Sequence, residues 1–153
     1  IAARLGLRIS DILNIKLKDI DWEHHELHII QQKTNHSNIL SLPKDVGWAV
    51  IDYIQHARPK CENEYLFVKM RYPFEKMEQF HNFNKYFETE EIENTKKGIH
   101  NLRHSLAKNM LDNDIPLHTI SSVLGHQSLE TTSNTYLSID EKHLKECSLE
   151  VEE

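Results

Sequence analysis

The segment ELHIIQQKTNHSNILSLP, residues 26 to 43, constrains this chain more than any other stretch. Two runs rich in β-branched and aliphatic residues, ELHIIQQ and NILSLP, flank the polar KTNHS, and Pro43 ends the second run. That is the pattern of an antiparallel hairpin with Lys33 at its tip. Nearly everywhere else apolar residues recur at helical spacing. A chain with strand signal for little more than one hairpin, plus YLFV at 65 to 68, builds a small antiparallel sheet among helices. The expected class is mainly α with a small sheet, an α+β fold.

The helical segments follow from their punctuation. IAARLGLR reads as the end of a helix closed near Gly6, and a chain that opens inside a periodic segment is expected to have lost an amino-terminal part. Ser10 is placed to cap a helix over DILNIKLKD, with Ile12, Leu13, Ile15 and Leu17 on its buried side. From Lys44 to Ala57 the set Val46, Ala49, Val50, Tyr53 and Ile54 has helical spacing, and Pro59 stops it. Residues 74 to 97 read as a helix followed by a polar loop. Beyond Gly98 come a helix near 100 to 112, a second from Pro116 to Gly125, and a third within 128 to 137. A last amphipathic piece, 140 to 153, aligns Leu144, Cys147 and Val151.

At 153 residues the chain fits one domain, large enough to bury a core without disulfides or metal staples. Cys61 and Cys147 stand far apart with no C-x-x-C partner, so they suggest neither a disulfide framework nor a thiolate metal site. Apolar runs are far too short for a membrane span, and the first residues lack the zones of a signal peptide. The expectation is a soluble, cytoplasmic protein. Charge points away from nucleic acid: 18 Lys+Arg against 24 Asp+Glu give a net of -6, whereas nucleic-acid modules are usually basic. The local distribution of cations has to decide.

GIHNLRHSLA, residues 98 to 107, sets His100 and His104 four residues apart, a spacing that suits zinc on a helix. A zincin needs Glu directly after the first histidine, and Asn101 stands there. Arg103, a permanent cation, would also face the metal unfavourably. On a wheel of about 100° per residue, Ile99, Leu102, Leu106 and Met110 form the core face while His100, Arg103 and Ala107 line an adjoining side. Arg103 can then project from an anchored helix, and His100 sits at the helix start, where free N–H groups favour an anion. The plainer alternatives are that Arg103 pairs with a carboxylate and that His104 hydrogen-bonds in the core.

The chain as a whole, from GLRIS to YLSID, resembles the tyrosine recombinase, or phage integrase, family. GLRIS resembles its first arginine box, HNLRH its second box, and LGH at 124 to 126 its third. The resemblance implies catalytic roles for Arg8, Lys33, His100, Arg103, His126 and Tyr136, with His104 structural. Two features depart from the pattern: the His126 to Tyr136 interval is one residue longer than in many members, and the hairpin carries His36 and Asn38 where further basic residues are common. Lys33 has the alternative reading of a solvated turn lysine.

The implied chemistry is site-specific recombination of double-stranded DNA through a 3'-phosphotyrosyl intermediate. Arg8 and Arg103 would grip the non-bridging phosphate oxygens in fixed forks. His100 would assist loss of the Tyr136 proton, His126 would donate a hydrogen bond to the phosphate, and Lys33 would protonate the leaving 5' oxygen. No cofactor or metal is expected. By the same resemblance, residues 1 to 153 correspond to a catalytic domain whose first part and amino-terminal DNA-gripping domain are missing. Homo-oligomers on DNA, docking of 140 to 153 on a neighbouring protomer, and a bacterial or phage context are implied as well. Two rival classes remain: a degenerate DNA-binding module, and a zinc-dependent hydrolase. Cleavage that persists in EDTA, with no stoichiometric zinc by elemental analysis, is the outcome expected here; activity lost on chelation and restored by zinc would return the metal reading.

Overall fold

The structure, a computed structural model, describes residues 1–33, 35–80 and 98–125. The fold is α+β, and the chain divides into two compact units, Ile1–Leu106 and Ala107–Glu153.

In the first unit, α1 (Ala2–Leu5) closes at Gly6, which adopts φ 61 and donates its N–H to the Ala2 carbonyl. A left-handed residue there favours glycine because it has no Cβ to clash. α2 (Ile9–Leu13) is shorter than the helix expected over residues 11 to 19, and Arg8, not Ser10, is its N-cap. The reason lies in long-range pairing. Leu17 donates to the Glu64 carbonyl and Leu66 to that of Ile15, both at 2.8 Å, around an isolated bridge between Lys16 and Tyr65. Backbone groups satisfied across that bridge have no need of helix. Leu17–Asp19 then form a single 3-10 turn, closed by Asp19 Oδ2 accepting the Lys16 N–H at 2.8 Å.

The sheet has the order β1 (Ile20–Asp21), β2 (Glu26–Ile30), β3 (Ser37–Ser41), antiparallel throughout. The expected hairpin is β2–β3, in the register Leu27↔Leu40 and His28↔Ile39; β1 is an addition to it. Alternation sends Leu27 and Ile29 into the core and His28 and Ile30 to solvent. Against this inner face pack Leu5, Ile12, Ile15, Leu42 and Leu66.

α3 (Lys44–Asp52) follows Pro43 and continues as a π-helical turn over Tyr53–Ala57. Val46 and Val50 are buried as expected, and Tyr53 and Ile54 pack on the core, but Ala49 is exposed and Gly47 is buried in its place. Arg58, just past the turn, ties down the next segment: its guanidinium donates to the carbonyls of Asn63 at 2.6 Å, Tyr65 at 2.9 Å and Leu66 at 3.1 Å. Over residues 65 to 68 Leu66 and Val68 are fully buried, yet the segment pairs only through isolated bridges instead of forming a sheet strand. The helix expected from residue 74 is absent over 74 to 80, where Lys76 bridges to Val68 and Met77 donates to the Phe67 carbonyl at 3.0 Å. Residues 81 to 97 lie outside the described ones.

α4 (Ile99–Asp112) and α5 (Leu117–Leu124) stand where their punctuation puts them, with Pro116 as N-cap of α5 and Gly125 at φ 63 closing it. The boundary between the units falls within α4. In the second unit Ile120 and Leu124 are buried. The helices expected within 128 to 137 and over 140 to 153 lie outside the described residues. No described helix is long and apolar enough to cross a membrane. Leu27, 1% exposed at the centre of the sheet, sets the expected cost of a core cavity: Leu27→Ala should lose about 2–5 kcal/mol in urea unfolding, whereas Ile30→Ala, on the solvent face, should lose far less.

Candidate active site

Three of the six expected site residues come together in the first unit. A cleft of about 440 Å³ is lined by Arg8, Ser10, Glu78, Phe80, His100 and Arg103 among others. Arg8 is the N-cap of α2, with an extended backbone (φ -69, ψ 149). His100 and Arg103 come from the first turns of α4, one helical step apart.

Arg103 is the most constrained of these residues. It is 4% exposed, and its Nη1 donates to the Gly6 carbonyl at 2.7 Å, across 97 residues of sequence. This corrects the helical wheel: among the described side chains of α4, Arg103 and Ala107 are the buried ones, while Leu102, Leu106 and Met110 are half-buried. A wheel weighs apolarity alone and takes no account of a hydrogen bond to a carbonyl, which offsets part of the cost of burying a guanidinium. His100 is exposed, and its ring meets that of His104 edge to face, with centroids 4.7 Å apart and planes at 85°. His104 thus packs against His100 at the i, i+4 position.

Asp11 was not among the expected site residues, and it lies between one of them, Arg8, and Gln32, the sequence neighbour of another. Its side chain is 1% exposed; Oδ1 accepts the Gln32 N–H at 2.9 Å, and Oδ2 lies 4.0 Å from Arg8 Nη1. One buried carboxylate therefore links the arginine at the start of α2 to the hairpin residue beside Lys33. Lys33 itself is exposed in the hairpin turn and does not line the cleft. The available signal was an acid directly before the apolar pair Ile12–Leu13, within the buried face of a short helix. Glu78 also escaped the sequence reading; it is exposed and contributes a carboxylate to a cleft that otherwise gathers cations. His126 and Tyr136 lie outside the described residues.

Two arginines and an imidazole thus line one cleft, together with the Glu78 carboxylate. The phage integrase family model matches residues 1–143. The chain is 32% identical over 145 residues to the tyrosine recombinase XerA of Pyrococcus furiosus, covering 92% of this chain and 49% of that protein. It is 29% identical over 151 residues to y4gC of Sinorhizobium fredii, an integrase/recombinase by name, covering 97% and 78%. Among solved structures, XerA superposes with a TM-score of 0.72 at 23% identity, covering 86% of this chain and 48% of that one. A post-cleavage complex of the XerH site-specific recombinase with its palindromic difH substrate reaches 0.77 at 22%, covering 96% and 42%. The chain belongs to the phage integrase family, the tyrosine recombinases. It spans about half the length of XerA.

Because Gln32 has Asp11 as its acceptor, Asp11→Ala should destabilise the first unit by about 1–3 kcal/mol and speed amide exchange at Gln32. Asp11→Asn, which keeps an acceptor oxygen, should recover much of that loss in urea unfolding.

Proposed function

We propose that this chain carries the catalytic residues of a site-specific recombinase, which breaks and rejoins double-stranded DNA through a covalent 3'-phosphotyrosyl intermediate at Tyr136. The observation that carries the reading is the cleft in which Arg8, from the start of α2, meets His100 and Arg103, from the start of α4. Residues so distant in sequence converge on one concave, cationic surface of a size suited to a phosphodiester.

The chemistry follows from what a phosphodiester lacks. It is already anionic, and attack by an oxygen nucleophile accumulates further charge on its non-bridging oxygens. Arg8 and Arg103 meet that charge with fixed forks, and the Gly6 carbonyl holds Arg103 in place without neutralising it. The Tyr136 oxygen attacks phosphorus, and its proton passes to His100; with a solution pKa near 10, a tyrosine depends on such help. The 5' oxygen leaves with a proton from Lys33, and His126 donates a hydrogen bond to the phosphate. A free 5' hydroxyl then attacks the phosphotyrosine and restores a phosphodiester. The bond energy is retained throughout, so no nucleotide cofactor enters the cycle. Relatives solved on DNA, among them XerH with difH and the Tn1549 transposon integrase with circular intermediate DNA, support DNA as the partner. Assembly as a homo-oligomer on DNA, with residues 140 to 153 docking on a neighbour through Leu144, Cys147 and Val151, completes the reading.

A nicked duplex whose cleaved end diffuses away tests it, because the reversing 5' hydroxyl is then lost and the adduct accumulates. The wild-type protein should form a protein–DNA band that resists boiling in detergent. Tyr136→Phe should abolish it with the circular dichroism spectrum unchanged, and Tyr86→Phe should leave it intact. An adduct mapped to any other residue would overturn Tyr136, and DNA binding with no adduct at all would favour the degenerate module.

A further inference from the structure

We propose that a groove beside β2, separate from the arginine cleft, is a track for the DNA sugar-phosphate backbone, with Lys18 and Lys76 as its phosphate contacts and Tyr65 as their platform. The inference rests on the DNA reading above and extends it to a surface that reading does not use. With a net charge of -6, the chain must draw DNA affinity from local concentrations of cations.

The groove, about 480 Å³, is lined by Lys16, Lys18, His28, Gln32, Tyr65 and Asn14, among others. Two ammonium groups converge on the Tyr65 ring in the groove wall: Lys16 Nζ, from the lining itself, lies 5.3 Å and Lys76 Nζ, from just beside the lining, 4.8 Å from the centroid. The ring quadrupole offsets part of their mutual repulsion. Lys76 also donates to Asn14 Oδ1, so its long side chain is ordered before any ligand arrives. Of the nearby acids, Glu64 pairs with Lys16 at 2.7 Å, while Asp19 Oδ2 accepts the Lys16 N–H at 2.8 Å, which orients that carboxylate without cancelling its charge. Lys18 and Lys76 form no ion pair among the described residues.

The groove reaches the carboxyl end of α2 at Asn14, and the cleft includes Arg8 at the amino end of the same helix. Asn14 follows the last residue of α2, and its Nδ2 donates at 2.7 Å to the carbonyl of Ser10, which lines the cleft with Arg8. From Arg8 to Asn14 the helix advances roughly 9 Å, or between two and three base steps at about 3.4 Å each. A strand with one phosphate between the arginines and its backbone along α2 brings a further phosphate to Lys76.

Counterion release supplies a readout that cleavage does not. Binding of the chain to a random-sequence duplex is measured over a range of NaCl concentrations, and log K is plotted against log [NaCl]. Lys18→Gln and Lys76→Gln should each flatten the slope by about 1, and the double variant by about 2, with affinity lowered alike on all sequences. Lys44→Gln, which removes the same charge beside Trp48, outside the groove, should leave the slope unchanged. A double variant with the wild-type slope, or a Lys44→Gln slope that flattens equally, would overturn the groove while leaving the DNA reading intact. A wild-type chain that binds no duplex even at low salt would overturn both.

Discussion

The hydrogen bond from buried Arg103 to the Gly6 carbonyl is the constraint on which the site depends. A guanidinium cannot be deprotonated and cannot be buried unpaired without a penalty of several kcal/mol. Its presence at 4% exposure therefore requires a carbonyl aimed at it. Gly6 supplies that carbonyl because α1 ends there in a left-handed turn, which also redirects the chain so that Arg8 begins α2 two residues later. One turn thus sets the partner of one cleft arginine and the position of the other.

Asp11 extends the same logic to the hairpin. Burying its carboxylate makes sense only if the Gln32 N–H and the Arg8 guanidinium are close by. Those two contacts tie α2, the cleft and the β2–β3 turn into one electrostatic unit. Arg58 plays the corresponding part for the segment after α3, gathering three carbonyls that no sheet ladder takes up. Buried or half-buried charge, more than regular secondary structure, organises the loops of the first unit.

Much of the architecture was legible in the residues. The hairpin, the close of α1 at Gly6, and the limits of α5 at Pro116 and Gly125 all follow from local chemistry that acts within a few residues: β-branched alternation, a missing Cβ, a missing N–H. The readings that failed share a different cause. The helix over residues 11 to 19 gave way to α2 and a 3-10 turn because residues 15 to 17 pair with 64 to 66, nearly fifty positions away. Residues 75 to 77 form no helix because they pair with 67 to 69. The core face drawn on α4 missed Arg103 because the wheel has no knowledge of a carbonyl 97 residues distant.

The site divides along the same line. The order of the motifs, GLRIS, HNLRH and LGH, belongs to the sequence by itself and sufficed to indicate the family, since each box carries its functional side chains within a span of a few residues. Convergence of Arg8, His100 and Arg103 on one cleft, the buried carboxylate of Asp11 between Arg8 and the hairpin, the placing of Glu78 at the cleft, and the meeting of Lys16 and Lys76 on Tyr65 were decided only in three dimensions. The physical reason is that electrostatic partnership depends on distance and burial, and both are set by how α2, α4, the hairpin and the segment 65–80 pack, not by how far apart their residues stand along the chain.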